Sequence, residues 1–333
     1  MMGRLDGKTA MVTGADGFIG SHLVEQLVAS GAHVRAMVYY NSWNDIGWLR
    51  DVAHDVRSSL EIFPADVRDA DRVQRAIAGC EYVFHLSSLI AIPYSYEAPR
   101  SYVDTNVLGA LNVFQACRQN TSLERLVHVS TSEVYGTAQQ VPISETHPLT
   151  AQSPYAATKI AADKLAESFH LSYGVPVVTA RPFNTFGPRQ TARAVIPTIA
   201  SQLLFGQGRI ELGSLNPTRD FNYVTDTARG MLALALAPGA NGSVVNIGSG
   251  QEWSVGQVVE LLFDICGRTA EVVTQPERVR PERSEVNRLL ADNRRMRELC
   301  DWKPEVPFKE GLRRTVEWIS RNGGYFDPSR YSR

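Results

Sequence analysis

The chain has 333 residues, with 34 lysines and arginines against 35 aspartates and glutamates, a formal net charge of −1. That length can bury a large core in one big domain or in two lobes sharing a cleft. Balanced charge, with no long run of one sign, gives no electrostatic support for a nucleic-acid or membrane-surface role and leaves a small molecule as the expected partner.

In chain order, the N-terminus has no basic segment leading into a signal-type apolar core, because Met11-Val12 already belong to a short strand that runs into glycines. A soluble, cytoplasmic protein is expected. Short β-branched runs at 9–13, 33–39, 60–64, 82–86, 126–130 and 175–181 are separated by helix-sized amphipathic stretches. The alternation predicts parallel βαβ units with right-handed crossovers, hence an α/β fold with a doubly wound parallel sheet. After residue 181 the rhythm changes to Pro- and Gly-rich loops with intermittent helices, as expected of a smaller α/β lobe on the carboxyl edge of that sheet. Segments 221–226 and 243–247 read as returns to the main sheet, so the expected organisation is a dinucleotide-binding domain over 1–180 with returns near 221–249, and a discontinuous lobe over 181–220 and 250–333. The apolar stretch 230–238 is too short to span a bilayer. Cys80, Cys117, Cys266 and Cys300 are far apart and form no CxxC pair, so neither a metal site nor a disulfide framework is expected.

The first strand runs into Thr13-Gly14-Ala15-Asp16-Gly17-Phe18-Ile19-Gly20 and then a helix. Glycines at 14, 17 and 20 permit a tight turn and close backbone approach, and a helix N-terminus attracts pyrophosphate. A glycine triplet alone also suits a plain strand–helix turn, and it is the N-terminal strand–helix setting that favours a dinucleotide site. Asp66-Val67, after the third strand, offers a carboxylate to an adenine amino group, against the bland reading of a solvated loop aspartate. The second strand ends Met37-Val38-Tyr39-Tyr40-Asn41-Ser42, without the acid that commonly takes the ribose hydroxyls of NAD and without an arginine for a 2′-phosphate. NAD is the expected cofactor, with NADP as the alternative.

Two further motifs carry chemistry: Ser130-Thr131-Ser132-Glu133-Val134-Tyr135-Gly136 and Tyr155-Ala156-Ala157-Thr158-Lys159. Tyr155 and Lys159 lie one helical turn apart on one face, where an ammonium favours phenolate and lowers a pKa normally near ~10. Glu133 adds a base able to remove a carbon-bound proton beside a newly made ketone.

Together with the His85-Leu86-Ser87-Ser88 loop, Asn106, the segment Arg181 to Arg189, Arg219 to Tyr223 and Asn246 to Gly250, these motifs resemble the extended short-chain dehydrogenase/reductase family, in its nucleotide-sugar epimerase/dehydratase branch. The resemblance covers almost the whole chain. It implies a cofactor site of Gly14, Gly17, Phe18, Ile19, Gly20, Asp66, Val67 and Leu86 together with Tyr155 and Lys159, and a Thr131 that hydrogen-bonds the reacting sugar hydroxyl. It also implies a nucleotide-diphosphate sugar as substrate, held by Asn184 and by the forked donors of Arg193, Arg219 and Arg280; taken singly, each arginine reads as a surface ion-pair residue. His85 and His128 read as structural.

Glu133 separates the chain from simple 4-epimerases, which usually carry a small residue there. Ser132 stands where dTDP-glucose 4,6-dehydratases have an aspartic acid, whereas GDP-mannose 4,6-dehydratases have a similar Thr-Ser-Glu arrangement. UDP-glucuronate decarboxylases share the 130–136 heptad, so the flanks decide. The surroundings of Tyr155, the segments 189–197 and 213–223, and Asn41 to Trp48 resemble dehydratases of the legionaminic-acid pathway type. The expected enzyme is a lyase, a 4,6-dehydratase of a nucleotide-linked N-acetylglucosamine in which Thr131, Ser132, Glu133, Tyr155 and Lys159 are catalytic. The alternatives are decarboxylation, 4-epimerisation, or a dinucleotide-binding sensor or scaffold without turnover, which commonly lacks the tyrosine–lysine pair. Helices near 104–117 and 160–173 correspond to those that pair across a two-fold axis in this family, which implies a homodimer.

Overall fold

In the computed structural model, which describes residues 5–278 and 281–327, the apolar runs of the first half become β1 Thr9–Thr13, β2 His33–Tyr39, β3 Glu61–Ala65, β4 Tyr82–His85, β5 Arg125–Val129 and β6 Val177–Pro182. They are followed by β7 Asn184–Phe186, β8 Arg209–Leu212, β9 Thr218–Tyr223, β10 Val244–Ile247, β11 Glu252–Ser254, β12 Glu271–Thr274 and β13 Arg288–Leu289. β10 joins the first six in one parallel sheet of order β10-β6-β5-β4-β1-β2-β3.

Successive strand residues point to opposite faces, and both faces are covered. Val12, Phe84, Val127 and Val178 pack with Leu23, Val24 and Leu27 of the helix Phe18–Ala29 and with Met231 and Leu232 of the helix Val224–Leu236. Their neighbours Met11, Val83, Leu126 and Val177 pack on Val73, Val113, Phe114 and Ala166, from the helices Ala70–Ile77, Gly109–Gln119 and Pro154–Tyr173. Strands covered on both faces read as near-continuous apolar runs.

The long helix Pro154–Tyr173 is delimited by its own residues. The Ser153 hydroxyl accepts the Ala156 N–H at 3.1 Å, Pro154 occupies the first turn, and Gly174 ends the helix at φ +70°. The chain thereby fixes where the helix starts, one residue before Tyr155.

The smaller lobe has its own core, in which Ile196, Ile199, Leu203, Val258, Leu262, Leu312 and Val316 meet. One expected return to the main sheet is made differently. β9 pairs with β7, β11 and β13 in a separate sheet, while the return is made by the helix Val224–Leu236, against β5 and β6, and by β10. The cause is Asp220, whose carboxylate accepts hydrogen bonds from Ser249 N and Oγ, Gly250 N and Ala291 N. Those bonds hold a polar strand among loops, where an apolar sheet would leave its carboxylate unsatisfied.

The strand order reverses at β1, which lies between β2 and β4. Parallel α/β sheets open a crevice at such a point, outside the carboxyl ends of the strands.

Candidate active site

Thr13 closes β1 with a hydroxyl that serves three groups. It accepts the backbone N–H of Leu86 at 3.0 Å and of Ser87 at 3.1 Å, and its own hydrogen points to His85 Nδ1, 2.9 Å away. The loops after β1 and β4 are thus fixed to one another. Gly14 follows at φ +69°, where a Cβ would come within 3.1 Å of Ser87 N, and a Cβ on Gly20 would stand 2.1 Å from the Gly14 carbonyl oxygen. The helix Phe18–Ala29 starts at Gly17 with no side-chain cap, so its leading N–H groups are left for an outside acceptor. A turn this tight, ending in an uncapped helix terminus that lines the cleft, fits a dinucleotide pyrophosphate.

The cleft holds about 800 Å³. Gly14, Gly17, Phe18, Ile19, Gly20 and Leu86 line one end, and Thr131, Ser132, Glu133, Tyr155, Lys159 and Asn184 continue along it. Asp66 lies in a neighbouring cavity of about 560 Å³ beside Tyr39 and Tyr40. Its carboxylate is engaged by Arg68, with Nε 3.0 Å from both oxygens, and this bond holds it below the usual carboxylate range. Val67 lines neither cavity. Its side chain is packed into the core against Gly109, and only its carbonyl makes a polar contact, accepting Asn112 Nδ2 at 3.1 Å.

β5 delivers Thr131, which caps the short 3-10 helix Ser132–Tyr135 by accepting the Glu133 N–H at 3.2 Å. That turn brings Glu133 to the cleft. The Thr131 side chain also lies close enough to the Tyr155 hydroxyl to favour its ionised form. Lys159 is buried, with Nζ donating to the Val129 carbonyl at 2.7 Å, and burial lowers its pKa to about 8.

Tyr155 departs from the expected electrostatics. Its pKa is pushed up rather than down: burial raises it, the Thr131 side chain draws it back, and the Glu133 charge raises it further. One helical turn places lysine and tyrosine on a common face, but the Lys159 ammonium is spent on the end of β5.

One turn further along the same face, Asp163 accepts His128 Nε2 at 3.2 Å and Arg181 Nε and Nη2 at 3.0 and 2.8 Å. Arg181 Nη1 in turn donates to the Tyr135 hydroxyl at 3.0 Å. Burial opposes the Asp163 charge, but His128 and Arg181 outweigh it and keep the carboxyl below its ordinary value. His85 and His128 are buried, stacked at 5.7 Å, and held neutral by desolvation.

Arg193 and Arg219 also line the cleft. Arg193 is exposed, with Nε 3.3 Å from Thr191 Oγ1, while the buried Arg219 donates to the Thr218 carbonyl at 3.0 Å and faces Glu285 at 3.4 Å. Asn184 also lines the cleft, while its Oδ1 is buried and without a hydrogen-bond partner. Arg280 lies outside the described residues.

The GDP-mannose 4,6-dehydratase family matches residues 11–315. A putative UDP-glucose 4-epimerase of Methanocaldococcus jannaschii is 31% identical over 94% of this chain and 98% of its own length. A dTDP-glucose 4,6-dehydratase of an Actinoplanes species is 32% identical over 95% and 99%. The chain belongs to this nucleotide-sugar epimerase/dehydratase family. Among solved structures of the family, a dTDP-glucose 4,6-dehydratase from Streptomyces venezuelae with NAD bound superposes with a TM-score of 0.85 at 31% identity, covering 96% of this chain and 99% of that one.

Three residues of this family member's cleft escape a reading of the sequence. Arg278 lines it, two positions before the Arg280 expected from the sequence. Asp16 lines it from within the glycine-rich turn, where the glycines draw the eye. Trp48 lines it too, and packs edge-on against Trp318 and Tyr325 at 5.4 and 4.9 Å, a contact between distant parts of the chain.

Proposed function

We propose that the chain is a NAD-dependent 4,6-dehydratase that converts a nucleotide-diphosphate-linked N-acetylglucosamine into its 4-keto-6-deoxy derivative. The observation that carries this reading is the placement of Glu133: its carboxylate lines the same cleft as Thr131 and Tyr155, near enough for its charge to raise the Tyr155 pKa. Alcohol oxidation alone needs no such carboxylate. NAD, when bound, supplies a hydride store that is filled and emptied within one turnover.

With NAD⁺ bound, its positive charge would favour the Tyr155 phenolate against the effect of burial, and Tyr155, beside Thr131, takes the C4 hydroxyl proton. The resulting 4-ketone acidifies the C5 hydrogen, and Glu133 removes it. Ser132 is buried and its hydroxyl is too weak an acid to protonate a leaving hydroxide, so Glu133 hands the C5 proton to the C6 oxygen, which departs as water. The hydride stored from C4 would then return to C6 and the proton held by Tyr155 to C5, which gives the 4-keto-6-deoxy sugar with no net redox change. Arg193, Arg219 and Arg278 hold the diphosphate, and Asn184, which lines the same cleft, contacts the sugar.

The test is a panel of nucleotide sugars followed by mass spectrometry. UDP- or GDP-N-acetylglucosamine is expected to give a product lighter by one water without net consumption of NAD. Loss of carbon dioxide from a uronate substrate identifies a decarboxylase, and unchanged mass with inverted C4 an epimerase; no turnover of any candidate overturns the reading.

The same reading makes the enzyme a cytoplasmic homodimer. Val103, Leu108, Leu171 and Tyr173, in or beside the helices on one face of the sheet, are exposed apolar side chains suited to a second copy. All four cysteines are free, as in a reducing compartment. Among the described residues, no helix is long and apolar enough to cross a membrane.

A further inference from the structure

β2 ends in Tyr39-Tyr40, yet a carboxylate stands at that edge. Asp16 reaches over from the glycine-rich turn, and its Oδ2 accepts the Tyr39 N–H at 3.0 Å. That bond uses one of about four acceptor positions on the carboxylate. The group lines the large cleft beside Gly14 and Gly17.

Its position is enforced from several sides. The Asp16 carbonyl accepts the Trp48 N–H at 3.0 Å. Gly47, at φ +54°, sits so close that a Cβ there would come within 2.5 Å of the Asp16 carbonyl oxygen and 2.9 Å of the Asp16 Cβ. The loop carrying Gly47 is organised by Asn41, whose Oδ1 accepts the N–H of Trp43 and Asp45 at 3.1 and 2.9 Å and whose Nδ2 donates to the carbonyls of Tyr39 and Asp45 at 3.2 and 2.8 Å. Burial pushes the Asp16 carboxyl up, and the Tyr39 N–H draws it back. A partly desolvated carboxylate of this kind gains from one more hydroxyl donor.

The arginines of this corner are already engaged. Arg68 is on Asp66, Arg50 is on Asp45, and Arg72 donates to the Pro64 carbonyl at 2.6 Å while lying 4.4 Å over the Phe63 ring.

We propose that Asp16 takes the place of the acid missing from the end of β2: it accepts the adenosine ribose hydroxyls and repels a 2′-phosphate, so that this chain selects NAD over NADP. Dinucleotide folds commonly place that acid on the strand itself; here the glycine-rich turn supplies it. The inference rests on the NAD reading above, and the test separates the two.

The purified full chain is titrated calorimetrically with NAD⁺ and with NADP⁺, alongside Asp16→Asn, which keeps an acceptor for the Tyr39 N–H and removes the charge. The wild type is expected to favour NAD⁺, and in Asp16→Asn the ratio of the two dissociation constants is expected to shrink by about tenfold or more, through weaker NAD⁺ and tighter NADP⁺ binding. Asp16→Ser, smaller and neutral, is expected to move the ratio the same way, and thermal melting of both variants monitors folding. An unchanged ratio in both folded variants, or a wild type that favours NADP⁺, overturns the role of Asp16 while leaving the dehydratase chemistry standing. Binding of neither dinucleotide brings down the cofactor reading itself, and this inference with it.

Discussion

Glu133 is the residue on which the reaction class turns. It reaches the cleft because Thr131 caps the turn that follows β5, a local device independent of any ligand. Glu133→Gln keeps the size and the hydrogen-bonding capacity of the side chain, so dinucleotide and nucleotide-sugar binding should persist in calorimetry, while the rate of water loss, followed by product mass, falls about 10²–10⁴-fold. Full activity in that variant would remove Glu133 from the chemistry. Lys159 makes a different kind of prediction. Its pKa is about 8 in the folded chain against 10.5 for a free lysine. Between those values the unfolded chain binds the proton that the folded one has released, so stability rises with pH across that window, and below about 8 the cost of burying the ammonium is present in full. Relative to Lys159→Met, the wild type should therefore gain on the order of 2–3 kcal/mol between pH 8 and 10.5 in urea unfolding. A difference between the two proteins that does not change with pH would show the lysine to be neutral or solvated throughout. The one-turn spacing of Tyr155 and Lys159 was legible in the sequence; the direction of the Tyr155 shift was not, because it depends on where Nζ finds its acceptor and on how deeply the phenol is buried.

Elements repeat the contrast. The strands of the main sheet stand out in the sequence because helices cover both faces, so β4, β5 and β6 are buried along their whole length. β9 was read as part of that sheet although it carries Arg219, Asp220 and Asn222, all buried. Its place is set by the bonds of Asp220 to loops some thirty and seventy residues away, which no local pattern announces. The glycine-rich turn was legible for the opposite reason, since its geometry is imposed at short range. Gly20→Ala places a methyl group 2.1 Å from the Gly14 carbonyl oxygen. The helix start must shift to relieve it, at about 1–3 kcal/mol, and the turn can no longer hold its shape. Denaturant unfolding should register the loss, and NAD⁺ affinity should drop with it; a variant of wild-type stability and affinity would mean that the turn is looser than its contacts indicate.

Across the whole molecule, the cofactor-side helix is tied to the start of the smaller lobe. Arg189, buried and at φ +70°, donates through Nη1 and Nη2 to the two oxygens of Glu25, both at 2.9 Å, and His22 Nε2 lies 3.1 Å from the Pro188 carbonyl. The pair joins segments more than 160 residues apart. Arg189→Ala strips a partner from Glu25, whose side chain is 30% exposed; water recovers part of the loss, and about 1–2 kcal/mol of stability should go. Arg321→Ala, which opens the exposed pair with Glu317, is expected to stay within about 0.5 kcal/mol. Equal effects in parallel denaturant titrations would deny the Arg189 clamp any special weight.

The edge-on packing of Trp48 against Trp318 and Tyr325 carries a practical consequence. The indole lines the cleft while leaning on Trp318 and Tyr325, so its emission senses both the cleft and that aromatic contact. Trp43, by contrast, is 89% exposed, and Trp302 is buried. The protein therefore carries an intrinsic fluorophore lining its cleft, and a change in tryptophan emission on adding NAD⁺ that is lost in Trp48→Phe is expected to report occupancy without a label.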